Sequence, residues 1–408
     1  MNKSVKPLLF SWLVAVIPFF LVAVIPFIGS YGYGNESRQL RPPVHKELTN
    51  YYKQMQDSSD FAKNKLLHPK TDFLQPWVLS NWKYKDYKLY LEKIKASGME
   101  YVVLQYVAKA MVVNGKAELT ENYFHLKDIE TNPHLPLVYS RCTKKNMIVS
   151  RYDAVDTLLL AAKDVGIKVY LGTTLSDQWW SRHFRNDQWR TEMVALEKLL
   201  ISYFITKYKT NSHMSDTFHG IYYTPEMFGN MYGYETYWRE MLGSIREHVY
   251  SQDQSLKFIV SLYNSEHYLF DDSDEQTIEE KMQKFVSDLL IKNDKAVLRD
   301  GDIVTVQDKL ATNTKTSVAY NAKFLYAVRD VLKMLKSDYD NSLHYSIIVE
   351  NFNSESNLTR APGQRYTLQL LICSQLADDL MVFSYATYHM PKDKFNRPVV
   401  KKKGKSTP

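Results

Sequence analysis

The chain has 408 residues, 45% hydrophobic and 24% charged, with 30 Tyr, 18 Phe and 7 Trp. That composition excludes a collagen-like, low-complexity or wholly disordered chain, and two cysteines exclude a disulfide scaffold. The formal net charge of +7 is an end effect.

Within 392–408, Lys392, Lys394, Arg397, Lys401, Lys402, Lys403 and Lys405 outweigh Asp393 by +6. Lys3 and Lys6 add +2 in 1–34, so everything between carries −1. A nucleic-acid-binding domain needs a basic face to neutralise phosphates. The body of the chain has none, so no nucleic-acid partner is expected, and 392–408 reads as a solvated basic tail.

Residues 8–29 form the uncharged apolar run LLFSWLVAVIPFFLVAVIPFIG, in which LVAVIPF occurs twice and places Pro18 and Pro26 inside. Its length matches a helix crossing hydrocarbon, where proline is tolerated if the freed carbonyls find partners. Lys3 and Lys6 favour a cytoplasmic N-terminus, with the rest outside. A cleaved signal peptide is the alternative, disfavoured by the long apolar region and the lack of an A-x-A site. The expected organisation is a transmembrane signal anchor over 1–30, a polar juxtamembrane linker over 31–70 with a short helix near 45–55, a folded body over 71–391, and the tail. Outside the cell Cys142 and Cys373 could pair, or remain two separate buried thiols.

The body alternates strand and helix. FLQPW (73–77) reads as a buried strand, followed by a helix over 86–96 closed by Gly98. YVVLQ (101–105) is the second strand. After a long loop from 106 to 150, Ser150 and Asp153 read as the N-cap and its N3 partner of a helix to Asp164, ended by Gly166 before IKVYLG (167–172). Helices over 187–208, 235–250, 275–291, 317–335 and 364–377 precede HGIYYTPE, KFIVSLY, DIVTVQD, HYSIIVE and LMVFSYA respectively. About eight units of near-continuous apolar strand and amphipathic helix predict an α/β fold, a (β/α)8 TIM barrel. An open doubly wound sheet is the alternative, but no G-x-G-x-x-G follows the first strand.

Barrel chemistry sits where strands end. The candidate catalytic residues are Glu226 after strand four, Glu350 after strand seven and Asp308 after strand six. Two carboxyls across one pocket, one protonated and one ionised, are what glycoside hydrolysis needs. Candidate substrate-binding residues are Gln75, Trp77, Gln105, Asp177, Trp179, Trp180, Tyr223, Tyr263, Asn264 and Tyr385. Flat aromatic side chains suit the apolar faces of sugar rings; Trp179 and Trp180 read as loop residues, whereas Trp189, Tyr237 and Trp238 read as core. No H-E-x-x-H, P-loop, G-x-S-x-G or Cys/His ligand spacing occurs. No metal and no cofactor are expected.

The stretches FLQPW, GMEYVVLQ, GIKVYLG with SDQWW, GIYYTPEM, DIVTVQD, IIVENF and MVFSYATYHMP occur in the order found in an uncharacterised glycosidase-like TIM-barrel family, domain of unknown function 4434, which the chain resembles over roughly 72–391. The resemblance implies a barrel that acts on or binds carbohydrate, with Gln75, Trp180, Glu226, Asp308, Glu350 and Tyr385 on the family's strand-end motifs. Glu226 and Glu350 also look like the acid/base and nucleophile of retaining barrel glycosidases, although many of those have Asn where this chain has Pro225. The expected protein is a membrane-anchored, extracytoplasmic glycoside hydrolase acting on a cell-surface or exopolysaccharide. The alternative is a noncatalytic carbohydrate-binding or polysaccharide-assembly protein on the same scaffold.

Overall fold

The structure, a computed structural model, describes residues 44–59, 61–62, 65–126, 132–148, 152–181, 183–210, 214–228, 233–263, 277–310, 317–353, 359–390 and 392. The apolar run 8–29, Asn264 and nearly all of the basic tail lie outside the described residues. Among the described residues no helix is long and apolar enough to cross a membrane.

Eight parallel strands close into a barrel in chain order: β1 Thr71–Leu74, β2 Tyr101–Leu104, β3 Lys168–Gly172, β4 Phe218–Phe228, β5 Lys257–Tyr263, β6 Ile303–Gln307, β7 His344–Glu350 and β8 Asp379–Phe383. β1 closes the ring, with Thr71 beside Tyr101 of β2 and Met381 of β8. The covering helices are α2 Tyr84–Ala96, α3 Ala154–Val165, α4 Asp187–Ile205, α5 Glu235–Gln252, α6 Ile278–Leu290, α7 Val318–Tyr339 and α8 Gly363–Leu376, with α1 Val44–Gln56 ahead of the barrel.

Side chains alternate across each strand, so the apolar runs serve two cores. Leu74, Leu104, Leu171, Tyr223, Val260, Val306 and Val349 pack outward in one continuous cluster with the helices. Their neighbours Phe73, Tyr222 and Phe383 meet inside the barrel, Phe73 lying 5.2 Å from the Tyr222 ring and 6.0 Å from Phe383.

Local chemistry sets the helix ends. The N-cap of α3 is Asp153 itself, not Ser150: its carboxylate accepts from Asp156 N–H at 2.9 Å. Gly166, at φ 75°, ends α3 in the left-handed region that glycine adopts freely. At the start of β1, FLQPW does not continue as strand beyond Leu74, because Pro76 opens a 3-10 turn over Pro76–Leu79.

Within the span 31–70 expected as linker, helix α1 stands where a short helix was expected. Helix α1 docks on the barrel, burying Leu48 and Met55, and Glu47 accepts the backbone N–H of Val318 at 2.7 Å. That contact caps the first turn of α7, on the face where the strands end. The expected structureless stretch after β2 is instead a small sheet. Ala108–Val113 and Lys116–Asn122 form a hairpin through Asn114 and Gly115, both at positive φ; Cys142–Ile148 and Thr174–Leu175 flank it. Cys142 and Cys373 are not joined by a disulfide.

Candidate active site

Glu226 owes its position to an irregularity in β4. Tyr223 pairs with Val260 of β5, but Met227 pairs with Leu262, so β4 carries two more residues than its neighbour over this span. Such a bulge re-aims side chains and leaves backbone groups unpaired, and Pro225, which has no N–H to lose, fits within it. Two indoles complete the bonding: Trp179 Nε1–H donates to the Glu226 carbonyl at 2.9 Å and Trp238 Nε1–H to the Pro225 carbonyl at 3.3 Å. The Glu226 carboxyl is buried and accepts from Gln307 Nε2 at 3.1 Å and Tyr222 Oη at 3.5 Å. Burial pushes its pKa up to about 7, against the opposing pull of Lys309 and these two donors.

Asp308 and Glu350 end adjacent strands and form a pair. The Glu350 backbone N–H donates to Asp308 Oδ1 at 3.4 Å. Gln369 of α8 donates to Asp308 Oδ2 at 2.8 Å and to the Glu350 carbonyl at 3.2 Å. Burial raises both carboxyls, and Asp308 raises Glu350 further by like-charge repulsion. Glu226 adds to that rise, while Lys309 and Arg365 oppose it. The two charges are therefore coupled. The site offers Glu226, which burial raises to about 7, and an Asp308–Glu350 pair raised above the usual carboxylate range.

The other sequence candidates divide. Gln75 and Gln105 are buried at the ends of β1 and β2; Gln75 Oε1 accepts from Thr387 Oγ1 at 2.8 Å. Gly172 lets β3 pass this point, since a Cβ there would meet the Gln105 carbonyl at 2.1 Å. Trp180 is half-buried beside Tyr263, with ring centroids 6.5 Å apart, and Tyr263 lies under Lys309 Nζ at 3.2 Å. Tyr385 stacks on His389 at 6.0 Å, and its N–H donates to Asp72. Trp77 is half-buried in the turn after β1, and Asp177 is exposed.

Two assignments are corrected. Tyr223 faces the helices, against Trp238 and Phe258; the residue that reaches the site is Tyr222, one step along the strand alternation. Trp179 is not a loop aromatic open to a sugar but lies within a short helix, Asp177–Trp180, and is 2% exposed against Phe184 and Trp189. Lys309, Arg365, Gln369 and Thr387 went unnoticed. The period-two rule could have found Tyr222, but residues on α8 carry no strand-end signal.

Three buried carboxyls at the C-terminal mouth of a closed (β/α)8 barrel define a class of acid–base sites on this scaffold. Residues 71–395 match the family described as Domain of unknown function (DUF4434), and the chain belongs to it. No curated protein matches the sequence. Among solved structures, a candidate alpha-L-fucosidase from Bacteroides thetaiotaomicron VPI-5482 is similar in fold at 15% identity and TM-score 0.56, over 90% of this chain and 94% of that one. An endo-1,4-beta-D-mannanase from Thermotoga petrophila RKU-1 aligns at 10% identity and TM-score 0.47, over 78% and 88% of the two chains. An intracellular xylanase from Thermoanaerobacterium saccharolyticum aligns at 11% and 0.41, over 88% and 94%. At these identities the likeness to the first is one of fold.

Proposed function

We propose that the protein is a glycoside hydrolase in which Glu226 protonates the departing oxygen and the Asp308–Glu350 pair supplies the opposing negative charge. The observation that supports this reading is the placement of buried carboxyls at separate strand ends: Glu226 on β4, held by Gln307 and Tyr222, and Glu350 on β7, beside Asp308. Burial raises Glu226 to about 7, which suits a general acid at neutral pH. Glu350 is raised as well, to about 8, so the form that attacks the anomeric carbon is the one that has lost its proton, which Lys309 and Arg365 favour. In that step the Glu350 oxygen bonds to the anomeric carbon as the glycosidic C–O bond breaks, and the leaving oxygen takes the Glu226 proton. Water then reverses the sequence, with Glu226 as base. Trp180, half-buried against Tyr263, provides a flat surface for a sugar ring.

Replacing Glu350 with Gln keeps the shape but removes the charge. Turnover of oligosaccharides should fall at least about a thousandfold, with far-UV CD unchanged. Full activity in E350Q overturns the assignment, and glycan binding without turnover in the unmodified protein favours a noncatalytic carbohydrate-binding role.

The proposed substrate is a cell-surface or exopolysaccharide met outside the cytoplasm, with residues 8–29 as tether. The apolar run and Lys3 and Lys6 before it support this placement. Protease added to intact cells should then digest the barrel; complete protection sinks the extracytoplasmic placement.

A further inference from the structure

Glu197 of α4 is 1% exposed, and Ser176, which precedes the short helix Asp177–Trp180, is 5% exposed. Thr174 Oγ1 donates to Glu197 Oε1 at 2.9 Å. Among the described residues the second oxygen, Glu197 Oε2, has no hydrogen-bond partner, and neither has Ser176 Oγ. A buried polar atom left unpaired is costly, and here both residues line one cavity. That cavity has space for about one water molecule. Its other walls are Thr174, Trp179, Thr224, Pro225 and apolar side chains of α4 and α5.

We propose that this cavity is a buried water site with Glu197 and Ser176 as its ligands, and that the bound water braces the bulge carrying Glu226. An interior water is held where it finds roughly two to four polar partners in a space of its own size, and the cavity supplies both. Thr174 already donates to Glu197 Oε1. Burial raises the Glu197 carboxyl to about 8, against the pull of that hydroxyl, so near neutrality Oε2 carries a proton and donates it to the water oxygen. The water in turn donates to Ser176 Oγ. A hard cation takes about six to eight oxygen ligands and suits the cavity poorly, with its one carboxyl among hydroxyls, indoles and methionines. Two walls belong to the support of the acid. Thr224 and Pro225 lie in the bulge of β4, and Trp179 donates to the Glu226 carbonyl. Thr224 is itself tied down, its N–H donating to Thr173 Oγ1 at 3.2 Å and its hydroxyl to the Gln105 carbonyl at 2.9 Å. The water fills the space into which the bulge would otherwise relax. The site stands whether or not a glycoside is cleaved, because its ligands are outside the three carboxyls of the mouth.

A crystal structure of the full chain, at a resolution that orders internal water, tests this without any variant. One density peak should lie about 2.7–3.2 Å from both Glu197 Oε2 and Ser176 Oγ. A dry cavity, or a direct bond between those two atoms, overturns the proposal. So does a peak at about 2.3–2.6 Å from its partners, the distance of a bound cation. Glu197→Gln keeps a donor in place of Oε2–H, so the water should remain and Glu226 should stay on Gln307. Glu197→Met removes the donor, so the peak should be lost and the Glu226 carboxyl should shift away from Gln307. A water retained in E197M overturns the assignment of Glu197 as its ligand, and a lost water with Glu226 in place overturns the brace. If E197M does not fold, the unsubstituted protein and E197Q still decide whether the water is there.

Discussion

The indole of Trp179 holds the backbone of Glu226: its Nε1–H donates to the Glu226 carbonyl at 2.9 Å, from a side chain that is 2% exposed. The connection after β3 thus fixes the acid at the end of β4, across a bulge that the sheet cannot bond by itself. Trp179→Phe keeps most of the packing and orphans a buried carbonyl, at a cost of about 1–3 kcal/mol. Because the acid must lie within hydrogen-bond reach of the leaving oxygen, kcat should fall roughly 10–100-fold with little change in KM. Steady-state kinetics beside a thermal melt check this; a loss of stability with kcat intact means that Trp179 only packs.

Activity should follow a bell-shaped pH profile near neutrality. On the proposed mechanism the productive form has Glu226 protonated and Glu350 ionised, and burial raises both, to about 7 and about 8, so the rate declines on either side of that range. Asp308→Asn removes a negative neighbour that raises Glu350. The optimum should therefore move to lower pH, as read from kcat/KM against pH.

Stability should drop as pH rises from mildly acidic to mildly alkaline. Burial raises Glu197 to about 8 and Asp72 to about 7. Glu197 sits on α4 with Thr174 Oγ1 donating to it at 2.9 Å, beside a cavity with space for about one water molecule. The folded state keeps protons that the unfolded chain releases above its ordinary carboxyl pKa. Their contribution is complete below the unfolded pKa and is lost as pH rises through the folded one. Unfolding free energies from urea titrations at pH 5 and pH 8 should differ by on the order of a few kcal/mol in the unsubstituted protein. Glu197→Gln should narrow that difference; an unchanged gap argues against a protonated Glu197.

Much of the barrel was legible because its strands are apolar on both faces and its helices on one. The helices over 187–208 and 364–377 were expected close to where Asp187–Ile205 and Gly363–Leu376 form. The hairpin at Asn114–Gly115 was missed although its turn signal is local, since its second strand, KAELTEN, is too polar to stand out. At the site, Glu226, Asp308 and Glu350 were visible as polar interruptions at the ends of apolar runs. Tyr222 and Tyr223 are the same residue type in the same run, and only strand alternation across a bulge separates a site residue from a core one.

The sequence by itself determined the repeating strand–helix order and put a carboxyl at three strand ends, because burial on both faces forces continuous apolar runs that a charged residue visibly breaks. Tertiary structure alone decided what those carboxyls are. Closing the ring brings Asp308 against Glu350, draws Gln369 in from a helix some sixty positions later, and sets the Lys309 ammonium over the Tyr263 ring. Acidity in a buried site depends on desolvation and on charges arriving from other strands, and neither is a property of neighbouring letters in a chain.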